Sequence, residues 1–595
     1  MTRAQRHLAS ILVVIVSLLG AAGCVSVPIS GPIEKVEGQQ PPCQNCVNVE
    51  VAPPAVGDEP RQIVEGYLRA TSNYQPNYSV AKQFLTRMAA EKWSPEQQVS
   101  IYRGSVTATG KTTVELKGRL VGSLGRDRTY TAGDQELNID FDMLQEDGEW
   151  RINKLPPGLF VAEFSFDHFY QPYNRYFVGN GSSLVPDPIY LPALSNPANV
   201  ASALMKALLN GPSEWLEPAV SSAIPPNTSL SVDSVTITDG IAEVQLSDSI
   251  LALPDPQRSL LGAQIVHTLR QVGGVKGVVI RVNQQPYRVP GSEPSNFTIS
   301  VDAIPRDIDP IPFVSGDQLY AVPDTGHGIK VVSTTADSRA ISSLVGPVGQ
   351  YSVDALAVSM TSTDLALTTD GATTLRRAPV AEKGQPRTLL PGASDLLRPQ
   401  FTRYGEIWAI GRQGGRQRMW VFTTDKNPKN PGIKIVINSP VLQDSNVTAF
   451  KISPDGTRMA LVRRTATGQH ELGVARIIRS APDKVVVDRW RSLNVTQANM
   501  PRIERIADVA WLDATELMVL GAAGADSAFA PFRVAEDASR ITPEGGPENR
   551  DAVGLTVLPR TQTAIIIGGD GQTWRDNGSQ WLPFVDHVRT IAYPG

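Results

Sequence analysis

The second half of the chain repeats one small pattern, and this repetition restricts the fold more than any other feature. The pattern is seen in Leu356–Ser359 with Asp364–Leu367, Phe401 with Glu406–Ile410, Phe450–Leu461, Val509–Trp511 with Glu516–Leu520, and Leu555–Val557 with Thr563–Ile567. Each segment reads as a strand, a short polar turn and a second, more apolar strand. Taking Leu365, Ile407, Met459, Leu517 and Ile565 as equivalent gives steps of 42, 52, 58 and 48 residues, the range of β-propeller blades. Phe313 to about Leu344 supplies strands that lack a leading strand for their own blade, whereas His587–Tyr593 has that character and no blade to complete. The C-terminal strand is therefore expected to enter the first blade. That gives a propeller of about six blades over 313–595 without an open edge.

The best-kept copy, ISPDGTRMAL at Ile452–Leu461, resembles a WD40- or TolB-like blade. The other end of the chain has a different logic. Arg3, Arg6 and His7 precede a short apolar run, Ile11–Leu19, and Gly20-Ala21-Ala22-Gly23 lead to Cys24. A basic segment, an apolar run of about 7 to 15 residues and small residues before a cut are the parts of an export signal, and the run is too short to span a bilayer. AAGC resembles a lipobox, with Ala21 where the pattern more often carries Leu. The resemblance implies a signal peptide over 1–23, cleavage between Gly23 and Cys24, and S-diacylglycerol and N-acyl groups on Cys24. Two acyl chains give lasting attachment, since each buried methylene contributes about 0.8 kcal/mol. The alternative is a secreted protein in which Cys24 has no such part.

With 595 residues the chain exceeds one core, and 41% hydrophobic with 19% charged residues are globular values. A net charge of -4 supplies no field for nucleic acid. Of three cysteines, Cys43 and Cys46 remain as a pair in CQNC once Cys24 is set aside. They read as a small-loop disulfide or idle thiols. A redox pair would open a helix, which Val47–Pro54 does not, and a metal site needs ligands nearer than His168.

Residues 24–60 read as a flexible linker from the lipidated cysteine. From Arg61, helical spacing of Ile63, Tyr67 and Leu68, then of Ala81, Phe84, Leu85 and Met88, predicts two helices, with strands at Gln98–Tyr102, Thr112–Leu124 and Glu136–Met143 and a turn at Asp147-Gly148. Residues 61–165 thus resemble the α+β domain named after nuclear transport factor 2 (NTF2-like). Leu137, Ile139, Phe141 and Met143 alternate with Asn138, Asp140 and Asp142, so the acids belong to a solvated strand face. Over 187–286, Ser195 and Pro197 cap a helix carrying Val200, Leu204, Ala207 and Leu208. Asp239-Gly240 makes a two-residue hairpin, and a second helix carries Leu261, Ile265, Leu269 and Val272 before the strand Val275–Val282. These segments resemble the GerMN α/β domain, a module without established catalysis. His267 lies beside the apolar stripe as an ordinary helix histidine.

No G-x-S-x-G, P-loop or H-E-x-x-H pattern occurs, and the six histidines are scattered. No catalytic residue, metal ligand or cofactor is predicted. Arg412, Arg416 and Arg418 offer either an anion site or a solvated loop, and Trp408, Trp420, Trp511, Trp574 and Trp581 either a carbohydrate platform or packing between blades. The order of lipobox, NTF2-like domain, GerMN module and propeller resembles the LpqB family of cell-envelope lipoproteins. That resemblance implies a lipid-anchored protein on the extracytoplasmic face of the cell membrane. It further implies a non-enzymatic accessory of the MtrB sensor histidine kinase, touching the kinase's extracellular domain and influencing cell-envelope homeostasis and division. A scaffold binding cell-wall polymer, or a glycan-acting enzyme, are the alternatives. The enzyme would need a convergent pair of acids, as at the propeller axis.

Overall fold

The computed structural model describes residues 52–595 apart from 303–304, 315–317, 334–339, 345–346, 382–384, 425–433, 444, 482, 494–501, 525 and 548–550. Helix α1 (Pro60–Ser72) opens with Pro60 in its first turn and a reciprocal cap between Glu59 and Gln62, which satisfies donors that a helix start leaves free. The second expected helix is broken into α2 (Ser79–Gln83) and α3 (Arg87–Lys92). Leu85 bridges to Ile152, and Thr86 accepts from the Ala89 amide as a new cap. Met88, expected on the apolar stripe, consequently faces solvent at 59% exposure.

Behind these helices stand β1 (Val99–Ala108), β2 (Thr113–Leu124), β3 (Tyr130–Glu146), β4 (Glu149–Lys154) and β5 (Leu159–Ala162), in the order β4-β3-β2-β1-β5. Leu137, Phe141 and Met143 point into the core while Asn138, Asp140 and Asp142 face out. The carboxylates are therefore a solvated strand face. A short helix, α4 (Glu163–Phe169), leads to a hairpin of β6 (Tyr170–Val178) and β7 (Leu184–Pro192).

That hairpin belongs to the core of the second module, where Phe177 and Ile189 pack with Leu204, Ile265 and Val278. Helix α5 (Pro197–Leu209) is capped by Asn196, whose side chain accepts from the Ala198 amide at 2.9 Å, in place of Ser195. Strands β8 (Thr236–Thr238) and β9 (Ile241–Leu246) join through Asp239 and Gly240 at φ 52° and 82°, the positive angles that a type I′ turn demands. Helix α6 (Asp255–Leu269) crosses to β10 (Gly277–Val282), parallel to β9. A buried ion pair, Arg175–Asp187 at 2.6 Å, ties the hairpin to the end of α5: Arg175 donates to Gly211 O and Asp187 accepts from the Ser213 amide and hydroxyl.

His267 on α6 is wholly buried against Tyr176, with no hydrogen-bond partner on either ring nitrogen among the described residues. Burial, with Arg270 adding to it, holds the imidazole well below 6.5. The folded protein therefore refuses a proton that the unfolded chain accepts. Stability from this site is complete above pH 6.5 and falls by about 1.4 kcal/mol per unit as pH drops below it. His267→Phe is expected to remove that part of the slope in urea titrations between pH 7 and 5. An unchanged slope would refute the assignment.

Among the described residues, six blades of four strands follow in the second half, four as separate sheets and two joined into one eight-stranded sheet, and the C-terminal strand Val588–Ala592 pairs antiparallel with Leu319–Pro323 to complete the first. The ring closes as the repeat predicts. The third and fourth blades are further joined by a parallel pairing of their outer strands, Val436 opposite Lys484. Trp408, Trp420, Trp511 and Trp574 are buried between blades and Trp581 is partly covered, which is packing and leaves no carbohydrate platform among them.

Candidate functional site

Inner strands Val353–Val358, Gln400–Phe401, Asn446–Ile452, Arg505–Trp511, Ala552–Leu558 and Val588–Ala592 surround the propeller axis. They enclose a cavity of about 170 Å3. Its polar lining comes chiefly from Arg398, Gln400, Lys451 and Asp508. Asp508 accepts from the Leu555 and Val509 amides at 2.9 Å and lies 3.4 Å from Arg398, which donates to Leu555 O at 2.7 Å. This pair therefore latches separate blades across the axis. Lys451 donates to Gly595 O at 3.3 Å. Burial, with Arg398 adding and Asp508 opposing, brings its ammonium down to about 8.

Asp508 is the one carboxylate side chain among the described residues of this lining. General acid and base carboxylates flanking a glycosidic bond stand about 5 to 9.5 Å apart, so a two-carboxylate mechanism has no second partner here. The cavity is instead a polar chamber whose lining includes one half-buried ammonium, that of Lys451.

A second constellation lies where the modules meet. Arg458, at the end of the SPDGTR turn, is 1% exposed. It donates to both Glu536 oxygens at 2.7 and 2.6 Å, to Asp455 at 2.5 Å, to Ala514 O at 2.9 Å and to Pro186 O of β7 at 3.2 Å. Nearby, the Tyr190 hydroxyl donates to Asp537 at 3.0 Å, and the Tyr404 hydroxyl lies 3.0 Å from Asn180 O and Asp455 O. Arg476 reaches Trp215 O, and Arg491 sits 4.4 Å above the Trp215 ring. Gly456 takes φ 77°, and an added Cβ would strike Tyr404 at 2.7 Å. Both facts require glycine at that turn. One propeller face thus carries the second module through a buried polar seam. Arg458 holds Asp455 below the usual carboxylate range despite burial, while burial drives Glu536 up to about 7 against the pull of Arg458.

The seam escaped sequence reading, although a signal was present. Residues preceding the equivalent positions Leu365, Ile407, Met459 and Leu517 are Asp364, Glu406, Arg458 and Glu516. A lone base among acids marks Arg458. Cys24, Cys43, Cys46 and the Gly23–Cys24 bond lie outside the described residues. His267 is a core histidine packed on Tyr176, the strand partner of Pro186, and takes part in neither constellation's hydrogen bonds; no group of three or more metal-ligating side chains occurs among the described residues. Nor is any helix among them long and apolar enough to cross a membrane.

Comparison with known proteins covers the same three regions. The family description "Lipoprotein LpqB, N-terminal domain" matches residues 53–167, "Sporulation and spore germination" (Germane) matches 174–288, and "Lipoprotein LpqB beta-propeller domain" matches 330–594. The chain is 25% identical to Lipoprotein LpqB of Thermobifida fusca, with 96% of this chain and 97% of that one aligned. It is 26% identical to Lipoprotein LpqB of Cutibacterium acnes, with 96% of each aligned. Among solved structures, TolB from Acinetobacter baumannii matches at 13% identity and a TM-score of 0.33, over 55% of this chain and 84% of that one.

Proposed function

Because the chain belongs to the LpqB family of lipoproteins, we propose that it is a lipid-anchored extracytoplasmic protein that acts, without catalysis of its own, as an accessory to a sensor histidine kinase of the MtrB type. In this reading it meets the kinase's extracellular domain and so influences envelope homeostasis and division. Cys24 carries the lipid. The observation that supports it best is the buried seam around Arg458, Glu536 and Pro186. A fixed arrangement of modules presents one surface in one geometry, which a regulator needs and which lowers the ordering cost of binding. A tether to the same membrane raises the effective concentration of a weak binder toward its partner.

Crosslinking in intact cells tests this directly, with the native protein as bait and a Cys24→Ala form as control. The expected result is capture of a sensor-kinase extracellular domain by the lipidated form and its loss, by tenfold or more, in the control. Recovery of wall polymer alone would transfer the assignment to a scaffold.

A further inference from the structure

The propeller end opposite the seam carries several arginines that the accessory reading does not use. Strand Glu406–Gln413 starts at the turn where Arg403 donates to Asp307 O and Tyr404 meets Asn180, and it runs to Gly414-Gly415 at the other end of the blade. Both glycines take positive φ, 62° and 77°, and a Cβ added at either meets nothing within 4 Å. The hairpin tip stands clear of its surroundings. Arg416 and Arg418 follow it, both exposed and without an ionic or hydrogen-bonding partner among the described residues. Arg412 donates to Asn446 at 2.9 Å and lies 3.4 Å from Asp395. Asn446 is in register with Arg464, whose guanidinium faces a histidine, His470, in place of an acid. Arg416 and Arg418 thus share one face of the hairpin, Arg412 lies on its other face beside Gln417, and Arg464 stands on the neighbouring blade; Asp395 is the one ion-pair partner of these four among the described residues. The chain as a whole is net negative, at -4, so this charge is local.

We propose that this arginine tip docks on an anionic phospholipid surface, giving the protein a second membrane contact besides its lipid. An exposed hairpin with charge but no apolar anchor offers no shape for a folded partner to match. It does suit a planar layer of phosphate headgroups, which guanidinium groups engage in bidentate fashion. A lipid anchor keeps such a surface within reach, so weak attraction suffices. Each arginine near an anionic bilayer contributes roughly a fivefold gain in partition. The inference rests on lipid anchoring and is independent of the kinase.

The test is flotation of the full mature chain carrying Cys24→Ala with vesicles of phosphatidylglycerol and phosphatidylcholine. Binding is expected to require phosphatidylglycerol and to fall as salt rises. Arg416→Glu with Arg418→Glu should weaken it by more than about tenfold, whereas Arg126→Glu with Lys154→Glu, the same charge change at exposed sites of the first module, should not. Equal loss in both double variants, equal binding to pure phosphatidylcholine, or failure to float with any vesicle overturns the proposal. Capture by anionic wall polymer without vesicle binding overturns it as well.

Discussion

Replacing Arg458 by alanine is expected to lower unfolding free energy by about 3 to 5 kcal/mol. The guanidinium is nearly inaccessible and faces two buried carboxylates, Asp455 and Glu536, as well as the carbonyls of Pro186 and Ala514. Its removal strands those acids in a medium where an unpaired charge costs several kcal/mol. The loss should depend on pH in a defined direction. Glu536 holds its proton to about 7 in the folded protein, while an ordinary glutamate releases it near 4.5. A raised carboxyl contributes its full stability below 4.5 and loses it as pH climbs toward 7. Without Arg458 the folded-state value rises further, so the penalty should be larger at pH 8 than at pH 5. Adding Glu536→Gln to the Arg458→Ala variant should recover part of the stability at pH 8. Urea unfolding at both pH values measures all of this, and a change below about 1 kcal/mol with no pH dependence would show the seam to be incidental.

Deleting residues 587–595 is expected to prevent formation of a stable closed propeller. Val588, Ile591, Ala592 and Tyr593 are at most 6% exposed, and each larger apolar side chain contributes about 1.5 to 3 kcal/mol on burial. The deletion also strips Leu319–Pro323 of its antiparallel partner and removes the parallel bridge between Val358 and Pro594. An unpaired inner edge then invites pairing between chains. Soluble yield, resistance to protease and the urea midpoint should all collapse. Ile591→Asp, which leaves the backbone pairing intact but buries a charge at a fully covered position, should give a milder version of the same loss. A truncated chain that unfolds at the original urea concentration would mean that the ring is held by its other contacts.

These two expectations divide what was legible from what was not. The closing strand could be read because strand character, the polar turns between strands and the missing leading strand near Leu319 are all local patterns along the chain. The same holds for the Asp147-Gly148 and Asp239-Gly240 turns, where positive φ leaves few residue choices, and for the alternation that turns Leu137 and Phe141 inward. Helical spacing misled at Met88, because a tertiary bridge from Leu85 to Ile152 outweighed an intrinsic preference for continuing the helix. The partners that make the seam and the axial chamber were decided by tertiary structure, even though Arg458 itself stands out in the repeat as a lone base among acids. Arg458 meets Glu536 across 78 positions and Pro186 across 272, and Arg398, Lys451 and Asp508 converge only because separate blades bring their inner strands to one axis. A charged residue in a sequence is by default a solvated one. Only the closing of the fold removes the water around Arg458 and draws the half-buried Lys451 into a cavity lining, since desolvation depends on every neighbour and on no single stretch of chain.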